Sequence, residues 1–184
     1  MEFKPLFTGK LVYLAAPQSD DHLAFAQWSK NDDYLRIMDN DPARPVSADA
    51  HAQWEQGFIN APNVFHFRLR TLADDKLIGM VLLGDVQWTN QTATLGIAIG
   101  DPEYWSKGYG TDAMRLIVDY GFRELNLHRI TSSTISYNTR SIKVHEKVGF
   151  QREGLQRQSI QREGQRYDVI YFGLLREEWA AARA

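Results

Sequence analysis

The chain has 184 residues, a formal net charge of −2 and no cysteine. That length suits one domain over 1–184 with a real core, the charge balance gives no electrostatic case for nucleic acid, and the missing thiols exclude a disulfide framework, a thiolate nucleophile and a cysteine zinc site, so that no metal is expected. Met1 to Lys10 holds no apolar leader and no stretch approaches the ~20 apolar residues of a membrane span, which makes a cytoplasmic protein without a membrane partner the expectation.

The elements follow in chain order. Lys10 to Ala16 reads as a first strand. Ser19 or Asp20 caps a helix running toward Ser29. The polar stretch from Asn31 to Pro45 holds two prolines and reads as a loop with room for a short helix. Ser47 starts a second helical stretch, with Trp54 and Phe58 one turn apart. Phe65 to Arg70 alternates apolar and polar, a half-buried strand, and Ala73-Asp74-Asp75-Lys76 turns it into a strand over 77–83. Ala93 to Ile99 is the next strand. From Thr111, a candidate N-cap, Met114, Ile117, Val118, Gly121, Phe122 and Leu125 keep helical spacing. His128 to Ile135 reads as a strand, Asn138 caps a shorter helix that stops at Gly149, and two strands meet around Arg162-Glu163-Gly164 before a final helix over 174–183. Antiparallel strands followed by strand, helix, strand, helix, strand predict an α+β fold on one central sheet.

The most informative run is Trp105-Ser106-Lys107-Gly108-Tyr109-Gly110-Thr111-Asp112-Ala113, between the apolar strand and the amphipathic helix. Two glycines one residue apart let the backbone turn sharply and bare its N–H groups. The helix N-terminus adds unpaired donors and partial positive charge, so the run suits a phosphate or pyrophosphate. Gly108-x-Gly110-x-x-Ala113 also satisfies a dinucleotide fingerprint in form. That motif needs a tight strand-to-helix turn and an acid about 20 residues on. Here Asp101 to Lys107 intervene, and the next strand ends in Ser136-Tyr137-Asn138 without an acid. A Walker A loop is absent. A glycine loop that only turns the chain is the plain alternative.

The second run is Asn138 to Phe150. Ser141, Val144, His145 and Val148 share one helix face, so Ser141 and His145 are neighbours one turn apart at the edge of the core. Read locally, a small polar residue and a structural histidine account for the pair just as well.

The two runs together, with Leu95-Gly96-Ile97-Ala98-Ile99-Gly100, His128-Arg129-Ile130, Glu146-Lys147-Val148-Gly149-Phe150, Glu153-Gly154, Arg157, Gly164, Asp168 and Glu177-Glu178-Trp179, resemble the GNAT superfamily of acetyl-CoA-dependent N-acyltransferases over nearly the whole chain. The likeness is greatest to the RimJ/RimL-like branch, which includes ribosomal-protein N-terminal acetyltransferases. The resemblance implies a GNAT-type acyl-CoA N-acyltransferase fold, a mixed central sheet of about seven strands flanked by helices, with acetyl-CoA as cosubstrate. It assigns Ile97, Ala98 and Ile99 to the pantetheine arm. Trp105, Ser106, Lys107, Gly108, Tyr109, Gly110 and Thr111 become the pyrophosphate loop, and Asn138 contacts the cosubstrate near its sulfur. Ser141 lines that site. The chain departs from the family pattern twice. Trp105 stands where Arg or Gln often opens the loop, and His145 stands where many members carry a tyrosine general acid.

The expected reaction is direct attack of a neutral amine on the acetyl thioester. A serine acyl-enzyme on Ser141 would need an activated hydroxyl, which His145 one turn away is placed to supply. His145, with an ordinary pKa of about 6.5, and Ser141 are both candidates to protonate the departing thiolate. Glu103, ahead of Asp85, is the candidate base. Trp28, Tyr34, Arg36, Trp54 and Trp88, with Phe58, are the candidate lining of the acceptor site, and Asp32, Asp33, Asp39 and Asp41 form an acidic stretch beside it. The acceptor is a small-molecule or peptide amine. A non-catalytic acyl-CoA sensor and an interaction module on the same fold are the readings from other classes, and a homodimer through the final strands is compatible with any of them.

Overall fold

The computed structural model describes residues 5–38 and 40–183, so Asp39 of the acidic stretch lies outside the described residues. Among the described residues seven strands form one sheet: β1 (Val12–Ala15), β2 (Phe65–Thr71), β3 (Leu77–Gln87), β4 (Thr92–Ile99), β5 (Arg129–Ile135), β6 (Gln151–Arg162) and β7 (Gln165–Leu175). Their order across the sheet is β1-β2-β3-β4-β5-β7-β6. Every neighbouring pair is antiparallel except β4 with β5. The helices are α1 (Asp21–Trp28), α2 (Asp32–Met38), α3 (Ala48–Ile59), α4 (Tyr109–Arg123), α5 (Thr139–Val148) and α6 (Arg176–Ala181). A parallel pair needs a long crossover, and α4 is that crossover between β4 and β5. This is the mixed, helix-flanked GNAT-type sheet expected of the chain.

The stretch read as a loop with room for a short helix holds one, α2, where Asn31 Oδ1 accepts the Tyr34 N–H at 2.9 Å and caps its start. One local expectation needs correction. The cap of α4 is Gly108 rather than Thr111, so the helix begins two residues before the expected cap. Gly108 sits at φ 94°, a left-handed conformation that glycine adopts without strain.

The alternation in β2 sorts its side chains between two faces. Leu69 joins the main core with Val81, Leu83 and Leu95, against the α4 stripe of Met114, Ile117, Val118 and Phe122. The opposite face carries Arg68, only 1% exposed, beneath α1 and α3. Arg68 donates to Asp21 at 2.8 Å and to Glu55, and Arg70 donates to Asp21 at 2.7 Å and Gln18 at 2.8 Å. The Phe25 ring lies 4.7 Å from the Arg68 guanidinium.

His66 belongs to the same cluster. Its Nε2 takes a 2.7 Å hydrogen bond from Arg68 Nη1, which requires a bare nitrogen and a neutral ring. Burial first and the Arg68 charge second push its pKa down to about 4. Burial also pushes His51 and His145 down. The unfolded chain therefore binds protons near pH 6.5 that the native state refuses until near pH 4. Stability is full above pH 6.5 and falls as the pH drops through that window, with His66 accounting for up to about 3 kcal/mol. Denaturant midpoints between pH 7.5 and 4.5 should show this slope, and His66→Gln, which keeps an acceptor for Arg68, should make it shallower. An unchanged slope in that variant would remove His66 from the account.

Candidate active site

β4 and β5 pair only from Thr92↔Arg129 to Thr94↔Thr131, and beyond that the two strands part. On its other side β4 stays paired with β3, and Gly100 N–H donates to the Ile78 carbonyl at 2.8 Å. In an antiparallel ladder hydrogen-bonded pairs alternate. Ala98 and Gly96 therefore turn their backbone groups to β3, while Leu95, Ile97 and Ile99 turn theirs to the gap. Two of the gap-facing carbonyls are taken by side chains. Ser132 Oγ donates to the Leu95 carbonyl at 3.0 Å, and Trp105 Nε1 donates to the Ile99 carbonyl at 2.8 Å. The N–H and C=O of Ile97 lie between them, with no strand on that side to pair them.

The gap opens into a cavity of about 550 Å³ walled by β4, β5, α2, α5 and the start of α4. Of the predicted loop, Trp105, Ser106, Gly108, Gly110 and Thr111 line it. Lys107 is exposed outside the lining, and Tyr109 packs edge-on against Tyr104 at 4.9 Å. The first helical hydrogen bond of α4 runs from Asp112 N–H to the Gly108 carbonyl at 3.0 Å, so the N–H groups before it are free for an anion. Asp112 faces the other way and accepts the N–H groups of Lys10, Leu11 and Val12 at 2.9, 2.7 and 3.1 Å, tying the N-terminal loop to the start of α4. The Trp105 ring also carries the Arg140 guanidinium 4.1 Å from its centre. Its indole N–H is thus spent on β4, a use that spacing in the sequence does not reveal.

On the opposite wall Asn138 caps α5 as expected, its Oδ1 accepting the Ser141 N–H at 3.1 Å. Tyr137 O–H donates to the Arg36 carbonyl, which fastens the end of α2 to the start of α5. Ser141 lines the cavity, as do the cationic side chains Arg140, Lys143 and Lys147 on the same helix. His145 is 1% exposed. Its Nδ1 lies 2.8 Å from the Ser141 carbonyl and 3.4 Å from Ser141 Oγ, and its Nε2 lies 2.9 Å from Ser132 Oγ. The ring stacks on Phe172 at 4.6 Å. Both nitrogens are occupied, and burial holds the pKa below the ordinary value. His145 lines the cavity together with Ser132 and Ser141, with its ring buried and both nitrogens turned to protein partners.

Other expected residues separate from the site. Glu103 is exposed on the single 3-10 turn Pro102–Tyr104 and does not line the cavity. Asp85 borders a shallow surface depression with Asn63 and Arg129 instead. Among the acceptor candidates Tyr34 lines the cavity. Trp28 packs behind it, 6.4 Å from Tyr34 and 4.9 Å from Phe25. Arg36 pairs with Glu163 at 2.7 Å. Trp54 and Trp88, 46% and 55% exposed, and Phe58, which packs on Trp54 at 4.5 Å, stand outside the cavity lining. Ile37, Met38 and Asn40 of the cavity lining were missed, because a polar, proline-broken stretch carries no signal for them.

The site fits acetyl-CoA on its own features. The Ile97 backbone pair suits an amide-bearing arm, while the α4 N-terminus and the three cationic side chains of α5 suit phosphates. Among the described residues no cluster of three or more His, Cys, Asp or Glu is arranged to hold a metal, and no helix is long and apolar enough to cross a membrane.

Residues 12–151 match the model of the acetyltransferase (GNAT) domain family. The chain is 32% identical to the SPbeta prophage-derived uncharacterized N-acetyltransferase YokL of Bacillus subtilis, over 94% of each chain. It is 31% identical to the putative ribosomal N-acetyltransferase YdaF of the same organism, over 73% of this chain and 74% of that one. Its fold is similar to that of the spermidine N-acetyltransferase from Vibrio cholerae in complex with CoA and spermine, with a TM-score of 0.82 at 23% identity, over 92% of this chain and 98% of that one.

Proposed function

The chain belongs to the GNAT acetyltransferase family and is an acetyl-CoA-dependent N-acetyltransferase, and on that premise we propose that, as a single domain, it acetylates a primary α-amine, at a peptide N-terminus or on a small molecule, by direct attack on the thioester. Acetyl-CoA supplies an activated acetyl group and a thiolate leaving group. The N–H of Ile97 is the backbone donor that the open edge of β4 offers to a developing oxyanion. The amides at the start of α4 and the cations of α5 hold phosphates. Ser141, a hydroxyl in the cavity wall, is the proton donor we assign to the departing thiolate. An acyl-enzyme on Ser141 is disfavoured, because the His145 nitrogen nearest it is engaged by the Ser141 carbonyl at 2.8 Å and gives the hydroxyl no free base.

One observation carries the choice of acceptor. Among the described residues that line the cavity the charged side chains are Arg140, Lys143 and Lys147, with no carboxylate. An α-amine has a reference pKa near 8 and loses its proton to water readily, whereas an alkyl amine near 10.4 needs a base held close. A polycation also calls for carboxylates along its length. The name of the YdaF relative agrees with an α-amine and with the RimJ/RimL-like branch.

A polyamine is the second reading, favoured by the Vibrio cholerae neighbour and its bound spermine. Incubation with acetyl-CoA and separate panels of N-terminal peptides, amino acids, aminoglycosides and polyamines, followed by free thiol and product mass, decides between them. Acetylated α-amines are expected. Spermidine as the best acceptor would overturn the assignment, and CoA binding without turnover on any panel would favour a sensor.

A further inference from the structure

We propose that Trp105 is a positioning residue for the pyrophosphate of CoA: its indole face seats the Arg140 guanidinium beside the amides of the loop that Trp105 opens. The inference deepens, and rests on, the reading of this cleft as the acetyl-CoA site.

The indole is held by its own stretch of chain. Trp105 ends the 3-10 turn Pro102–Tyr104, and its backbone N–H donates to the Pro102 carbonyl at 3.1 Å. Its ring N–H donates to the Ile99 carbonyl at 2.8 Å. Indole has a single donor. Nothing of it remains for a phosphate, so what the ring offers the cleft is its face. Ser106 at φ 60° and Gly108 at φ 94° then turn the chain into α4. Trp105, Ser106, Gly108 and Gly110 all line the cavity, which puts the indole next to the free amides of the helix start.

The face carries the side chain best suited to a phosphate. The Arg140 guanidinium lies 4.1 Å from the ring centre. Stacking engages the flat of a guanidinium and leaves the N–H groups around its edge, a fork that matches two phosphate oxygens. A long side chain loses rotamer freedom when it binds, and one resting on a ring has lost part of it beforehand. Lys143 and Lys147 line the same cavity, yet among the described residues neither rests on a ring.

Arg140 also stands against the electrostatics of its own helix. It is the second residue of α5, and no acidic residue shares that first turn. The helix dipole disfavours a cation there. Among the described residues no carboxylate forms an ion pair with it. A cation that local charge opposes, held by a ring contact of modest strength, marks a place that a bound anion completes. The start of α4 lines the same cavity, so its amides and the Arg140 fork address one anion.

The test uses Arg140→Gln, Trp105→Leu, the double variant and Trp105→Phe, which keeps a ring face without the N–H. Calorimetry with CoA and with dephospho-CoA, which lacks only the ribose phosphate, is read at low and high salt, with thermal unfolding of each protein. Arg140→Gln should weaken CoA about tenfold at low salt and flatten the salt dependence of binding. Trp105→Leu, which keeps the guanidinium but removes its seat, should weaken CoA about fivefold, and the double variant should be no weaker than Arg140→Gln alone. Trp105→Phe should stay within about twofold of the parent protein. Dephospho-CoA should suffer the same losses as CoA. Unchanged affinity in Arg140→Gln would overturn the proposal, as would additive losses in the double variant. A loss confined to CoA would move Arg140 to the ribose phosphate and overturn the pyrophosphate assignment. A Trp105→Phe protein as weak as Trp105→Leu would overturn the ring face as the cause and leave the Ile99 hydrogen bond in its place. Arg140 is exposed, so Arg140→Gln keeps the proposal testable if Trp105→Leu fails to fold. A parent protein that does not bind CoA would overturn the reading of the cleft instead.

Discussion

Asp21→Asn is expected to lower stability by about 3 kcal/mol, the cost of removing the one carboxylate that two buried guanidiniums share. Asp21 is 3% exposed and lies between two guanidiniums, accepting from Arg68 Nε at 2.8 Å and Arg70 Nη2 at 2.7 Å, with the Gln18 N–H at 2.8 Å as a third donor. Neutralising it leaves Arg68 paired with Glu55 alone and Arg70 paired with only the exposed Asp75, at 3.9 Å. For a domain of this size that loss corresponds to a fall in melting temperature of roughly 10 °C, readable by calorimetry. The control is to replace Asp21, Glu55, Arg68 and Arg70 together with apolar residues, which should cost far less because no charge is then left alone. A loss below about 1 kcal/mol in Asp21→Asn would mean that water reaches the cluster.

Gly79→Ala is the second large effect. A methyl group there meets the Ala98 carbonyl oxygen at 2.0 Å and its carbon at 3.0 Å. That carbonyl belongs to a hydrogen-bonded pair with β3, so it cannot turn aside without breaking the ladder. The substitution must drive β4 toward the cleft. A stability loss of about 3 kcal/mol is expected, together with weaker CoA binding, because Ile97 moves with its strand. Gly57 in α3 is the contrast. A methyl there meets nothing within 4 Å, and Gly57→Ala should stabilise by up to about 1 kcal/mol through helix propensity alone. Chemical denaturation of both variants checks the pair. Equal and small effects would show that β4 yields at no cost.

The residues separate into those whose place is local and those whose place is set by distant partners. The α4 stripe and the caps at Ser47 and Asn138 depend on neighbours within one or two turns and are legible in the chain, whereas β2, which reads as half-buried, has its polar face buried as well, with Arg68 and Arg70 under α1 and α3. The phosphate-type loop is legible for the same reason, since a glycine in the left-handed region and a helix N-terminus are properties of a few consecutive residues. Ser141 and His145 are correctly neighbours, yet helical spacing cannot say which of them faces solvent. Contact with Ser132 on β5 and Phe172 on β7 decided that, turning His145 into the wall.

Glu103 shows the same limit from the other side. Its position before the loop made it a natural base, but chain proximity to a loop is not proximity to the cavity that the loop borders. Aromatic identity was an equally weak guide, since Trp54 and Trp88 stay at the surface while Tyr34 and the unremarked Met38 reach the cleft.

By itself the sequence determined the class of chemistry through the family resemblance that the loop at Gly108 and Gly110 and the run from Asn138 to Phe150 carry together, and it determined their donors, caps and faces because those are short-range. Only the tertiary structure decided where β4 and β5 part, which backbone group is left open at Ile97, and that Ser132 and Trp105 frame it. Those facts depend on strands brought together from across the chain, and the pairing energy that selects them is absent from any local stretch.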